Sequence, residues 1–185
     1  MKPTGREEVR DALLDAAARL FAQRGPSNVS VREIAAEAGV NHGLVHRHFG
    51  AKERLVGAVL DRLAAKLDAA LGPDADALPL PELLRRTFAT TRAHRLYWHV
   101  LARAILEGME PASLQRRFPV VERIVRALER ERGLPIDPAS AATLATALGL
   151  GMLVFEPYLR AASGLDATRW RALEKMLPSL MTLGR

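Results

Sequence analysis

The sequence predicts an all-α protein, and three observations carry that prediction. Apolar residues recur every three or four positions through most of the chain, which is the period of an amphipathic helix. No segment alternates between apolar and polar residues in the way that a half-buried strand does. Glycine, proline and capping residues interrupt the periodic segments at intervals typical of helices. Together these signals predict about nine helices, three of them in the N-terminal part of the chain.

Composition limits what this chain can do. Its 185 residues are 49% hydrophobic and 26% charged, which is enough apolar material for a buried core. The net charge of +6 favours an anionic partner, most simply nucleic acid, and a merely solvated basic surface is the alternative. Cysteine is absent, which excludes disulfides and thiolate metal sites. Neither a secretory signal nor a membrane-spanning run is present, so we expect a cytoplasmic protein without a membrane partner.

The first two helices have clear boundaries in the sequence. Residues 6–24 carry apolar side chains on one face, and the Gly25-Pro26 pair ends this helix. Ser30 and Glu33 have the spacing of a capping box, in which each side chain accepts a hydrogen bond from the other residue's backbone N–H. The second helix therefore begins after Ser30. Gly39 stops it, because glycine is favoured in the left-handed conformation just past a helix end.

The remaining helices are delimited by similar signals. Asn41 can cap a third helix over residues 42–49, Gly50 breaks it, and a fourth begins near Lys52 and runs to about residue 70. A loop rich in proline and aspartate follows over residues 71–81. Further helices are predicted at about residues 82–92, 95–107, 113–132, 138–161 and 167–183. The Asp137-Pro138 pair marks the start of the longest of these with a cap and a proline at the first helical position.

The second and third helices, joined by the turn Gly39-Val40-Asn41, describe a helix-turn-helix. The third would be a recognition helix, which lies in the DNA major groove with its first residues at base edges. Its buried side is expected to use Phe49 and either Leu44 or Val45. Residues 38–52, AGVNHGLVHRHFGAK, hold three histidines, an arginine and a lysine but no acid. A surface pressed against phosphates excludes carboxylates, whereas these side chains donate hydrogen bonds to phosphates and bases.

A metal site is an alternative interpretation of the same histidines. His42 and His46 are four residues apart, a spacing that can place two imidazoles on one metal ion. A complete site needs a third ligand and usually a carboxylate that orients the imidazoles, and neither lies close in the sequence. No neighbouring serine or carboxylate would pair with these histidines for catalysis. We therefore expect no metal, no cofactor and no catalytic residue.

Residues 9–55 resemble the N-terminal domain of the tetracycline-repressor (TetR) family of bacterial transcription regulators. The resemblance is carried by LLDAAARLFAQRG, SVREIAAEAGV and HFGAKERLVGAVL. The join Phe49-Gly50-Ala51-Lys52 fits the family pattern of phenylalanine, two small or polar residues and lysine. The resemblance implies a helix-turn-helix DNA-binding domain over residues 1–52. It also implies a helical effector-binding and dimerisation domain over residues 53–185.

The same resemblance implies which residues contact DNA. They are Ser30, Val31, Arg32, Asn41, His42, Gly43, Leu44, His46, Arg47, His48 and Lys52. Those at the start of the recognition helix are implied to contact bases and nearby backbone, while Lys52 and its helix N-terminus hold a phosphate. His46 stands where the family usually has tyrosine, so the phosphate contact is expected to persist and to depend on pH. For Arg47 a merely solvated position is an equally open alternative.

In the larger domain the resemblance implies an effector pocket and a two-fold dimer interface. The aromatic and sulfur-containing candidates for the pocket are Phe88, Tyr97, Trp98, Phe118, Met152 and Phe155, although each such residue is more often plain core. The expected interface uses the two long C-terminal helices, through Gly149, Leu153, Trp170, Leu173, Met176, Leu177 and Leu180. An ordinary intrachain core is the alternative use of these residues.

The sequence therefore predicts a homodimeric regulator that binds a pseudo-palindromic DNA operator, acts most simply as a repressor and is released by a small-molecule effector. Two alternatives stay open at this point. One is a helical metal-dependent enzyme that uses His42, His46 and His48. The other is a protein-binding helical module whose helix-turn-helix no longer meets DNA.

Overall fold

The computed structural model describes residues 3–115 and 117–180, with side chains up to residue 176. Within these residues there are eleven α-helices, one short 3₁₀ helix over Pro73–Ala77 and no strand. The helices are α1 (Arg6–Arg24), α2 (Val31–Glu37), α3 (Gly43–Phe49), α4 (Lys52–Leu71), α5 (Leu80–Ala93), α6 (Arg95–Leu106), α7 (Pro111–Leu114), α8 (Pro119–Glu129), α9 (Pro138–Val154), α10 (Glu156–Ser163) and α11 (Ala167–Leu180). The all-α prediction is confirmed.

Two of the predicted helices divide, which raises their number above the expected nine. The helix expected over residues 113–132 becomes α7 and α8, because Pro119 starts a new helix and Phe118 before it is non-helical, with φ −124° and ψ 68°. The helix expected over residues 138–161 becomes α9 and α10, which are bent by 80° at Phe155. Pro157 causes this break, since its ring excludes a helical hydrogen bond to the preceding turn.

The described residues form two compact units. The first joins the residues up to Ala65 to Leu96–Arg117, and the second joins Lys66–Arg95 to the residues from Phe118 onward. α4 thus contributes residues to both units. The boundary predicted at residue 52 divides the chain once, whereas each compact unit combines two separate segments of the sequence. α6 and α7 pack with the N-terminal helices and therefore belong to the first unit.

In the first unit, α6 is tied to the end of α1 by polar contacts. Arg103 Nε donates a hydrogen bond to the carbonyl oxygen of Ala22 at 2.9 Å. Glu107 Oε2 accepts a hydrogen bond from the backbone N–H of Ser27 at 2.7 Å, in the turn that follows α1. At Gly57 a Cβ atom would lie 2.9 Å from the carbonyl oxygen of Leu114, so α4 passes α7 too closely for a larger residue. These contacts connect α6 and α7 with the helices that carry the helix-turn-helix.

In the second unit, α8 packs on α9, and α5 packs on both α8 and α11. Asp137 caps α9 as predicted, since its side chain accepts a hydrogen bond from the backbone N–H of Ser140 at 3.0 Å. Arg123 on α8 pairs with Asp68 at 2.6 Å and with Asp76 at 3.1 Å. Among the described residues no single helix combines the length and hydrophobicity of a membrane span; only the bent α9–α10 pair meets both criteria together.

The predicted capping box at the start of α2 is confirmed and is reinforced by an ion pair. Ser30 Oγ accepts a hydrogen bond from the Glu33 N–H at 3.2 Å, and Glu33 Oε2 accepts one from the Ser30 N–H at 2.8 Å. Arg24 pairs with the same carboxylate at 2.6 Å. The backbone hydrogen bond from Ser30, followed by the bond from Arg24, lowers the pKa of Glu33 from its ordinary value of 4.5 to about 2.

Replacing Glu33 with glutamine tests this capping box through pH. Because the folded-state pKa of Glu33 is lowered, its ionised form stabilises the fold above pH 4.5, and this stabilisation is lost as the pH falls through about 2. We expect Glu33→Gln to lower the Tm at neutral pH and the difference from wild type to shrink as the pH falls below 4.5. Glu7→Gln, at an exposed position of α1, is the matched control for loss of one negative charge. A Tm difference that stays constant down to acid pH would contradict the assignment.

Candidate nucleic-acid interface and ligand cavity

A glycine turn sets the direction in which the chain leaves α2. Gly39 has φ +68°, in the left-handed region that favours glycine. Its N–H donates to the carbonyl oxygen of Ala36 at 3.1 Å, and the Val40 N–H donates to that of Ala35 at 2.9 Å. This pair of bonds is a Schellman motif, which satisfies the carbonyls at the helix end. The turn predicted from the sequence therefore has a defined hydrogen-bonded geometry.

The third helix is anchored by its inner face. Val45 is 2% exposed and Phe49 is 8% exposed, whereas Leu44 is half-buried, so Val45 is the core residue of the two alternatives. α3 begins at Gly43, one residue later than predicted. The N-cap is His42, which makes no side-chain capping bond, rather than the predicted Asn41. Asn41 precedes it, and its Oδ1 accepts a hydrogen bond from the Gly43 N–H at 2.8 Å.

The opposite face of the same segment is exposed and free of acids. Of the residues predicted to contact DNA, the exposed ones are Ser30, Arg32, Asn41, His42, Gly43, His46 and Arg47. The half-buried ones are Val31, Leu44, His48 and Lys52. Lys52 is the first residue of α4, as predicted. None of these predicted residues is buried in the core.

Local hydrogen bonds determine which donor and acceptor atoms of these side chains remain available to a ligand. Because Asn41 Oδ1 is engaged, its amide nitrogen remains as the outward donor. His46 Nδ1 lies 3.1 Å from the carbonyl oxygen of Gly50 and therefore carries the proton. In the neutral ring Nε2 is then an acceptor, and protonation turns it into a donor suited to phosphate. The Ser30 hydroxyl already donates to Glu33 Oε2 at 2.7 Å, so a phosphate would compete with the capping box for it.

The structure also adds residues that the sequence did not single out. A cleft of about 350 Å³ lies between the start of α1 and α3, and its lining residues are Thr4, Arg6, Val9, Leu44, Arg47 and His48. Arg6 thus joins Arg47 and His48 on one basic surface. Only the packing of α1 against α3 brings these residues together, and the sequence offered no signal beyond a basic residue at a helix start. No group of three histidine or acidic side chains in the described part of the chain is placed to hold a metal ion.

A cavity of about 790 Å³ lies within the second unit, between α5, α9 and α11. Its lining residues are Arg85, Phe88, Ala89, Thr91, Arg92, Gly149, Met152, Leu153, Arg171, Glu174 and Lys175. Of the predicted pocket residues, Phe88 and Met152 line this cavity.

The other four predicted pocket residues lie elsewhere. Tyr97 and Trp98 belong to the first unit, where they are buried and their rings meet edge to face with centroids 4.6 Å apart. Phe118 and Phe155 are 38% and 54% exposed and do not line the cavity. The sequence pattern does not separate these locations, because an aromatic residue at an apolar position can face a core, a cavity or solvent.

Most of the described residues predicted for a dimer interface pack inside the chain or line the cavity. Gly149 and Leu153 line the cavity, while Trp170 is 2% exposed and packs with Leu173 in one apolar cluster. Met176 remains 56% exposed. The side chains of Leu177 and Leu180 lie outside the described residues.

Several exposed apolar side chains lie on α9 and α10 and at Phe155 between them. Leu144 is 62% exposed, Leu148 45%, Phe155 54% and Tyr158 71%. Leu144 and Leu148 are four residues apart and share one outward side of α9, and Phe155 is the residue that ends this helix. These outward residues differ from Gly149 and Leu153, the α9 residues predicted for the interface.

Comparison with known proteins gives a consistent family assignment. The family model described as bacterial regulatory proteins, tetR family, matches residues 13–59. The HTH-type transcriptional repressor Rv3405c of Mycobacterium tuberculosis is 45% identical over 164 residues, which cover 89% of this chain and 82% of that protein. The HTH-type transcriptional regulator BetI of Brucella anthropi is 43% identical over 76 residues, covering 39% of this chain and 37% of that protein. These relatives are named as transcription regulators, not as enzymes.

Solved structures share the fold over nearly the whole chain. A TetR-like transcriptional regulator from Rhodococcus sp. RHA1 aligns with a TM-score of 0.70 and 25% identity, covering 98% of this chain and 100% of that one. The transcriptional regulator SCO4942 from Streptomyces coelicolor aligns with a TM-score of 0.71 and 22% identity, covering 94% and 97% of the two chains. The likeness extends well beyond the helix-turn-helix into the larger helical part.

Proposed function

This chain belongs to the TetR family of bacterial transcription regulators, and from that premise we propose that it acts as a homodimeric, ligand-released repressor. As a family member it is a DNA-binding regulator and not an enzyme. The observation that carries the proposal is the acid-free outer face of α3, bounded by the capped turn and by the basic residues of α1 and α4. One 45% identical relative is named as a repressor, and this supports repression rather than activation in the proposal.

In this proposal the outer face of α3 enters the major groove. Asn41 and His42 stand at the start of the helix, where side chains reach base edges. Arg6, Arg47 and Lys52 surround them with positive charge that favours phosphate contacts. Residues that contact bases set the sequence preference, whereas those that contact phosphates supply affinity for any duplex.

Dimerisation would use the outward apolar face of α9 and α10. An exposed surface formed by Leu144, Leu148, Phe155 and Tyr158 is costly in water and is typical of a subunit interface. Family members are typically dimers, and a two-fold dimer reads an inverted repeat with its recognition helices about 34–36 Å apart or a multiple of one turn. On the neighbouring helix α11, Met176 is the predicted interface residue that remains exposed.

Release would follow from a small molecule bound in the cavity between α5, α9 and α11. Such a ligand shifts the dimer only if it binds the form unable to fit DNA more tightly than the form that fits it. Arg103 and Glu107 form hydrogen bonds with the end of α1 and with the turn that follows it, just before the helix-turn-helix. A displacement of α4 or α6 would therefore change the spacing of the two recognition helices.

Two substitutions separate base contact from phosphate contact. We expect Lys52→Gln to weaken binding to all duplexes by a similar factor and to reduce the slope of log affinity against log salt by about 1.

His42→Ala is expected to cost roughly 1–3 kcal/mol on the preferred base pair and to relax preference at one position per half-site. Both are measured by fluorescence anisotropy on a panel of single-position duplex variants at several salt concentrations.

Arg132→Gln, which removes the same charge from an exposed position, is the control for Lys52→Gln. If Lys52→Gln changes affinity no more than this control, Lys52 does not hold a phosphate. Equal losses for His42→Ala on every duplex would remove His42 from base recognition.

Charge placed on the outward face of α9 tests the dimer. We expect the double variant Leu144→Glu and Leu148→Glu to be monomeric in analytical ultracentrifugation at concentrations where the wild type is dimeric, because the carboxylates would oppose their symmetry mates. Its helical circular dichroism should persist, since both side chains are exposed. Ala65→Glu, at an exposed position of α4, is the control. A variant that remains dimeric would place the interface elsewhere.

A further inference from the structure

We propose that the effector of the cavity between α5, α9 and α11 is an amphipathic organic anion, with an apolar body and one acidic headgroup. This inference rests on the proposed function, because it names the chemical class of the molecule that releases the repressor. The cavity combines an apolar wall with an excess of positive charge, and each of these features selects one part of such a ligand.

The apolar wall is formed by Phe88 and Ala89 from α5 and by Met152 and Leu153 from α9. Gly149 lets α9 approach the Phe88 ring, since a Cβ atom there would lie only 2.7 Å from Phe88 Cε1. Any side chain at this position would displace the ring and change the wall. A surface of this kind binds alkyl or aromatic groups by removing them from water.

The charged residues of the cavity are four basic side chains and one acid. The acid, Glu174, is already engaged, because it pairs with Arg92 and accepts a hydrogen bond from Trp170 Nε1 at 3.1 Å. Arg85 is also engaged, since its Nε donates to Glu82 at 2.8 Å. The positive charge available to a ligand therefore resides elsewhere in the lining.

Arg171 and Lys175 supply that charge. They are four residues apart on α11, so they lie on one face of the helix, and both line the cavity. Neither has an acidic partner among the described residues. Both side chains are exposed, so an anionic headgroup placed between them would keep part of its hydration while its apolar body enters the cavity.

The same pair disfavours the other ligand classes. A cation would meet repulsion from both side chains, and a neutral molecule would gain no charge–charge attraction from them. Because exposed charges interact weakly in water, we expect a preference for anions of roughly tenfold over a neutral ligand with the same apolar body.

The test measures binding of matched acids and alcohols to the full-length protein by isothermal titration calorimetry. The probes are decanoate against decanol, and naphthoate against naphthalenemethanol, so that shape and charge vary separately. We expect wild type to bind at least one acid roughly tenfold more tightly than its alcohol. The double variant Arg171→Gln and Lys175→Gln should lose that preference while still binding the alcohol.

Two further variants make the result specific. The double variant Arg132→Gln and Arg169→Gln removes the same charge from exposed positions outside the cavity lining, and it should keep the preference for the acid. Ala89→Phe fills the apolar wall at an exposed position and should weaken both members of the pair. Equal affinity of wild type for acid and alcohol would overturn the inference. So would an acid preference that survives Arg171→Gln with Lys175→Gln.

Binding of the same proteins to duplex DNA separates this inference from the proposed function. Sequence-specific DNA binding without a preference for either acid overturns only the class of the effector. Absence of sequence-specific DNA binding would contradict the proposed function and, with it, the role of the cavity.

Discussion

Burial of the inner face of α3 is the constraint on which the DNA-facing surface depends. This helix has only seven residues and would not be stable alone, so its position comes from packing. Val45 and Phe49 fix it to the core, and the left-handed Gly39 turn fixes the direction from which it starts. With those side chains inward, Asn41, His42 and Arg47 must face solvent. The absence of acids from this segment then has a physical reason, since carboxylates there would face phosphates.

The sequence predicted best those features that depend on a few neighbouring residues. The Ser30–Glu33 capping box, the Gly39 stop and the Asp137 cap each involve positions no more than a few residues apart, and all three were found. Features that depend on packing were missed. Arg6 meets the recognition helix only through the fold, and the N-terminal compact unit includes a segment distant in sequence. The breaks at Pro119 and Pro157 were not predicted, because helical periodicity continues on both sides of each proline.

The helix α9 illustrates a further limit of sequence patterns. It carries no charged residue, so its pattern indicates burial all round without saying what covers each face. In the structure Met152 and Leu153 line the cavity, while Leu144 and Leu148 are exposed. Under the proposed function one face of α9 meets the effector and the other meets the second subunit. A ligand that shifts α9 would then change the geometry of the dimer directly. That geometry sets the spacing of the two recognition helices, which must match the half-site spacing of an inverted repeat.

Selection of duplexes from a random DNA pool at near-physiological salt tests the central claim most directly. The wild-type protein is mixed with the pool, and the bound fraction is sequenced over several rounds. An enriched inverted repeat, with half-sites separated by about one helical turn or a multiple of it, is the predicted result, because two recognition helices in a two-fold dimer require it. Recovery of no motif, with binding that disappears as salt rises, would contradict the claim and leave only a generic basic surface.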